Sequence, residues 1–156
     1  MLGERPTVLS SRDETYARGK DTGRYWDSGA GNVHWVICTS EQVAAGVETA
    51  LERVQSDGVF VEGTSVLNHV QADYSIMVVG KAVGEIKPSA SRVLERIDAL
   101  YSPGGDGDVR TELGERLLRR GKALPAVPLY LERDLDALAA EVGRIHAARR
   151  PLRPLG

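Results

Sequence analysis

Hydrophobic residues along the chain form short runs that alternate with stretches of helical spacing. β-Branched and other apolar residues dominate the short runs, which is typical of strands. The runs predict six strands, at residues 7–9, 34–38, 59–61, 75–79, 99–101 and 126–129. Residues 59–61 are continuously apolar, as is the 75–79 run after its first residue, Ser75, which favours burial on both faces of a parallel sheet.

Four segments have apolar residues at helical spacing; three lie between predicted strands and the fourth follows the last strand. The first helix is predicted after Thr39 as its N-cap, with Gln42 completing a capping box, and it ends at Gly58. The second begins at Pro88, and the third follows Asp108 and runs to Gly121. The fourth carries apolar residues at helical spacing between 131 and 145.

Repeated strand–helix alternation predicts an α/β fold with an open, mostly parallel sheet flanked by helices. With 156 residues, the chain has the length of one domain. We therefore predict a single α/β domain over residues 1–148 and a disordered tail at 149–156.

Charge and composition narrow the classes of partner. The net charge is −2 with both signs dispersed, so nothing favours binding to nucleic acid. Apolar runs are far too short to span a membrane, and the first residues lack the pattern of a secretory signal. The single cysteine, Cys38, leaves no thiol cluster for a disulfide or zinc site and is predicted to pack as an apolar residue. These features predict a cytoplasmic protein that does not bind membranes.

Glu62 and Gly63 directly follow the predicted strand at 59–61. Open parallel sheets bind ligands beyond the carboxyl ends of their strands, so Glu62 is predicted to emerge at such an edge. A carboxylate there can hold Mg²⁺ or orient an attacking water, and Gly63 would allow close approach of the backbone to a ligand. The alternative is an ordinary exposed acid in a turn before a helix cap.

The segment KDTGRYWDSGAG, residues 20–31, supplies further polar groups. Lys20 and Arg24 suit phosphate oxygens, and Asp21 and Thr22 suit a metal ion. The alternative is a solvated loop of mixed charge. The histidines are scattered and none has a partner at metal-ligand spacing, so no metal role is predicted for them.

The order of KDTGRYWDSGA, a strand–helix unit, VFVEG and ADYSIMVV resembles the molybdopterin-guanine dinucleotide biosynthesis protein B (MobB) family of P-loop NTPases. The resemblance covers residues 5–101, with weaker support to 148. The matching positions are Asp21, Thr22, Arg24, Gly29, Ala30, Glu62 and Gly63.

This resemblance implies a protein that binds GTP or ATP with Mg²⁺ and assists molybdenum cofactor biosynthesis, together with another cofactor-biosynthesis protein. Glu62 would be the catalytic, Walker B-type acid and a Mg²⁺ ligand with Asp21, while Lys20, Thr22, Arg24 and Gly63 would contact the nucleotide phosphates. The chain departs from the family because it contains no GxxGxGK[ST] loop. The strand and loop that carry this motif in the family would then lie upstream of Met1, in a longer protein.

A second interpretation takes the chain as a degenerate, non-catalytic adaptor with the same fold. It would bind a protein partner, or a second copy of itself as a homodimer, through a sheet edge left without a neighbour. An enzyme that acts on another phosphorylated small molecule is a third, since the fold does not fix the function.

Overall fold

The computed structural model describes residues 3–80, 86–104 and 108–148. The chain divides into two compact units, Met1–Val70 and Gln71–Gly156. Each unit contains one of the two sheets found in the described residues. A single domain over 1–148 stays a prediction, and the predicted disordered tail lies outside the described residues.

In the first unit, β1 (Thr7–Leu9) pairs antiparallel with β2 (Trp35–Ile37). Helix α3 (Val43–Leu51) packs against both strands. Gly46 permits this packing, because a Cβ there would lie 2.6 Å from Val36 Cγ1. The predicted helix forms, but it begins at Val43 with Gln42 as its N-cap, rather than directly after Thr39, and it ends at Leu51 rather than at Gly58.

Two short helices, α1 (Arg12–Thr15) and α2 (Asp21–Asp27), follow β1. Thr15 is buried between them, and its hydroxyl donates to the Ser11 carbonyl oxygen at 2.8 Å. The same hydroxyl oxygen accepts a hydrogen bond from Trp26 Nε1 at 3.0 Å, which ties α1 to α2. A one-turn 3₁₀ helix, Thr64–Asn68, lies near the end of the unit and contacts α3.

The second unit is built on a parallel three-stranded sheet in the order β3 (Ile76–Val78), β4 (Ala99–Ser102), β5 (Leu129–Leu131). Helical segments connect the strands and follow the last one. They are α4 (Pro88–Arg92), the 3₁₀ helix Leu94–Arg96, α5 (Val109–Leu118), the 3₁₀ helix Glu132–Asp134 and α6 (Leu135–Ala148). This arrangement confirms the prediction of an α/β protein with a parallel sheet and flanking helices.

The core of the second unit lies between one face of this sheet and α5. Leu100, on the central strand, and Leu117, on α5, are fully buried in it. The other buried members are Val79, Leu94, Ile97, Val109 and Leu113. The three members on α5 recur at intervals of four residues, so they share the face of the helix that packs on the sheet.

The predicted strand at 59–61 is wrong. Val59, Phe60 and Val61 belong to no sheet among the described residues, and their exposed fractions are 48%, 78% and 51%. Strand propensity reflects packing against neighbouring strands, and the described chain supplies no neighbour for this segment. The predicted strands at 7–9 and 34–38 do form, but as an antiparallel pair outside the parallel sheet.

Candidate functional site

Helix α2 places three polar side chains on one face. Asp21, Arg24 and Tyr25 stand at positions i, i+3 and i+4, which are neighbours on a helix surface. The segment KDTGRYWDSGAG, for which a loop was one sequence interpretation, is helical from Asp21 to Asp27. The helical spacing therefore brings together an acid, a guanidinium and a phenol.

Glu62, near the C-terminal end of the first unit in sequence, lies close to this face of α2. The hydroxyl of Tyr25 donates to Glu62 Oε2 at 3.5 Å, at the long end of hydrogen-bond distances. Partial burial raises the pKa of Tyr25, and the negative charges of Glu62 and then Asp21 raise it further. Both carboxylates therefore act on one phenol, and we call Asp21, Arg24, Tyr25 and Glu62 the Tyr25 cluster.

The Tyr25 cluster is open to solvent. Arg24 Nη1 lies 3.5 Å from Asp21 Oδ1, and the two side chains are 71% and 61% exposed. An ion pair this exposed contributes only about 0–1 kcal/mol. Arg24 and Asp21 can therefore exchange this contact for a ligand at little cost.

The donor set of the Tyr25 cluster fits Mg²⁺. This ion is usually held by one or two carboxylates, and water and phosphate oxygens complete its octahedron. Asp21 and Glu62 supply the carboxylates, and Arg24 supplies a cation suited to phosphate oxygens. Among the described residues, no group of three or more His, Cys, Asp or Glu side chains is arranged to hold a metal ion.

The expected position of Glu62 at the carboxyl edge of a sheet is wrong. The segment before Glu62 belongs to neither sheet of the described residues, and the parallel sheet belongs to the second unit. Glu62 reaches the predicted partner Asp21 through Tyr25 instead. Tyr25 was missed in the sequence because nothing marked residues 20–31 as helical, and its i+4 spacing from Asp21 has meaning only on a helix.

The other predicted site residues lie near the cluster in sequence, but among the described residues no side-chain hydrogen bond joins them to it; the Arg24 backbone N–H donates to the Lys20 carbonyl oxygen at 3.0 Å. Lys20 is the exposed N-cap residue of α2, and Thr22 is half-buried in its first turn. Gly63 has φ +146°, a conformation that residues with a Cβ rarely adopt. The backbone turn before Thr64–Asn68 is therefore enough to explain this glycine.

His34 and Cys38 lie outside the Tyr25 cluster. His34 Nδ1 is 3.0 Å from Ser10 Oγ, and its buried Nε2 has no partner within the described residues. Cys38 is half-buried after β2. Neither side chain is part of a metal-binding group among the described residues.

The carboxyl ends of β4 and β5 carry an open depression in the second unit. It is lined by Gly104, Leu131, Glu132 and Arg133. This is where parallel sheets commonly bind ligands. None of the predicted site residues lines this depression, so the site predicted from the sequence lies in a different part of the chain.

No protein-family model, no curated protein sequence and no solved structure matches the chain. The resemblance to the MobB family therefore stays a prediction. The structure defines an α/β protein, and within the described residues no helix has the length and apolar character needed to cross a membrane.

The Tyr25 cluster can be tested through the ionisation of Tyr25. We expect Glu62→Gln to lower the pKa of Tyr25 towards the ordinary value of about 10, since one of the two neighbouring negative charges is removed. The pKa should remain above that value, because burial is the largest cause of the shift. Carbon NMR of the tyrosine ring carbons against pH measures it.

Asp27→Asn is the control. It removes a negative charge that lies on the same helix but is not among the causes of the raised Tyr25 pKa. An unchanged Tyr25 pKa in Glu62→Gln would contradict the contact. Because the pKa of Tyr25 is raised in the folded state, its neutral form stabilises the fold. This contribution to the free energy of unfolding is complete below about pH 10 and is lost as the pH rises through the folded-state pKa.

Proposed function

We propose that the protein binds a nucleoside triphosphate with Mg²⁺ at the Tyr25 cluster, GTP being the nucleotide that the resemblance to the MobB family suggests. Asp21 and Glu62 would hold the metal ion, directly or through water. Arg24, with Lys20 and Thr22 beside it, would contact the phosphate oxygens. The proximity of Glu62 to Tyr25, on the helix that carries Asp21 and Arg24, is the observation that supports this assignment.

Each of these side chains would have a distinct role. The guanidinium of Arg24 offers paired donors to phosphate oxygens and so orients the triphosphate. Tyr25 is a positioning residue, because its hydroxyl holds the Glu62 carboxylate on the α2 face. Glu62 could also orient a water for attack on the terminal phosphate, as expected of an acid beside the metal ion. The part played in molybdenum cofactor biosynthesis is proposed on the resemblance of residues 5–101 to the MobB family.

Calorimetric titration with GTP, in the presence of Mg²⁺ and then of a chelator, tests the proposed site. The native chain should bind GTP with Mg²⁺ with a Kd of about 1–100 μM. Glu62→Gln should weaken binding about tenfold with Mg²⁺ and have little effect with chelator, because a lost metal ligand matters only when the metal is present. Arg24→Ala should weaken binding in both conditions.

Asp27→Asn is again the matched control, since it removes an acid from α2 outside the cluster and should bind like the native chain. Equal binding by native chain and Glu62→Gln in the presence of Mg²⁺ would contradict the site. No binding of either GTP or ATP at millimolar concentration would contradict the function.

A second candidate function is a non-catalytic adaptor. The observation that favours it is the exposed apolar segment Val59, Phe60 and Val61, since such surfaces commonly mark protein contacts. The same titration separates the two functions. Micromolar GTP binding that depends on Glu62 favours the nucleotide-binding protein, whereas an adaptor would give no heat with either nucleotide.

A further inference from the structure

The segment from Val59 to Val61 has the composition of a strand but none of its pairing. Valine and phenylalanine are among the residues most favoured in strands. No backbone N–H or C=O of these three residues makes a hydrogen bond within the described chain. The three side chains are exposed, and Phe60 is the most exposed large apolar residue of the described chain, at 78%.

One kind of partner can both pair with these backbone groups and cover the exposed apolar side chains. Another strand satisfies the backbone groups through a ladder of hydrogen bonds and covers the side chains through cross-strand pairs. An apolar groove alone would cover Phe60 but leave the backbone groups unpaired. The chemistry of the segment therefore favours pairing with a strand.

The sequence around Phe60 is nearly symmetric, since residues 57–63 read DGVFVEG. In an antiparallel pair centred on Phe60, this residue faces its own copy and Val59 faces Val61. The flanking acids do not face each other, because Asp57 stands opposite Gly63 and Glu62 opposite Gly58. Apolar residues thus meet apolar residues, and no like charges are directly opposed.

We propose that this segment pairs antiparallel with the same segment of a second copy of the chain, forming a two-fold symmetric dimer. A symmetric contact requires a surface that complements itself, and this segment meets that requirement. The net charge of −2 offers little repulsion between copies. The proposed dimer does not depend on nucleotide binding.

The proposed contact is small, so the dimer is a weak one. Three strand residues a side bury much less than the ~1,200 Å² typical of stable interfaces. We therefore expect monomer and dimer to exchange at concentrations of about 10–500 μM, which is the range of weak association.

Sedimentation equilibrium of the native chain across that range tests the proposal. The average mass should rise from that of one chain towards that of two. Phe60→Lys should keep the mass of one chain throughout, because it places two ammonium groups opposite each other at the centre of the pair. Leu118→Lys is the matched control, since Leu118 is also exposed, at 69%, but lies on α5; it should associate like the native chain.

Hydrogen exchange of the native chain supplies a second measurement that needs no variant. The amides of Val59, Phe60 and Val61 should exchange fast in dilute protein and at least severalfold more slowly in concentrated protein. A one-chain mass at every concentration would overturn the proposal, as would association that Phe60→Lys leaves intact. Slow exchange that is the same at all concentrations would also overturn it, because the protection of these amides would then come from contacts within one chain.

Discussion

Replacing Leu117 with alanine is expected to lower the free energy of unfolding by about 2–5 kcal/mol. Leu117 is fully buried in the core between α5 and the parallel sheet. The truncation removes apolar contacts and leaves a cavity that rigid neighbours such as Leu100, on the central strand, cannot fill. Urea unfolding followed by circular dichroism gives the change as a shift of the midpoint at constant slope.

The next residue along the chain is the control for this substitution. Leu118 is the same residue type on the same helix, but it is 69% exposed. Leu118→Ala should change the free energy of unfolding by no more than about 0.5 kcal/mol, as expected for a surface site. If the two variants lost equal stability, the assignment of Leu117 to the core would be incorrect.

Replacing Gly23 with alanine is expected to destabilise the first unit by about 1–3 kcal/mol or more, the range for overpacked sites. In an open helix this change normally stabilises, since alanine is the better helix former by about 1 kcal/mol. At Gly23, however, a Cβ would lie only 2.1 Å from the backbone oxygen of Ala17. Backbone cannot rotate away as a side chain can, so α2 itself must shift.

Gly143→Ala is the matched control. Gly143 lies within α6, and a Cβ there would meet no atom within 4 Å. This substitution should raise the midpoint of thermal unfolding, with a gain of about 0.5–1 kcal/mol. Thermal unfolding of both variants checks the contrast, and a stabilising Gly23→Ala would show that α2 does not approach Ala17 as closely as the structure has it.

Gly23→Ala also bears on the candidate site, because Gly23 lies between Asp21 and Arg24 in the sequence of α2. A shift of α2 moves Asp21, Arg24 and Tyr25 together and so changes their distances to Glu62. The close packing of Gly23 on Ala17 thus fixes the position of α2, and with it the position of the polar side chains on this helix. The stability of this helix and the geometry of the Tyr25 cluster depend on the same contact.

The candidate site could be predicted in part from residue type. Residue type points to Asp21, Arg24 and Glu62, because carboxylates and guanidinium groups suit Mg²⁺ and phosphate. The predicted position of Glu62 at a sheet edge is wrong, since residues 59–61 directly before it form no strand within the part of the chain that the structure describes. Tyr25 joins Glu62 to α2 across a separation of 37 residues. No local pattern in the sequence reports a contact of that range.

The alternation of strands and helices in the second unit follows from the spacing of apolar residues, which is a local property of the sequence. The last strand, however, lies at Leu129–Leu131 rather than at 126–129. Three features depend instead on contacts between distant parts of the chain. Residues 59–61 pair with no strand of the described chain, β1 and β2 form an antiparallel pair of their own, and Tyr25 meets Glu62. A strand exists only where another strand offers it hydrogen bonds, and the distant parts of the chain decide where that occurs.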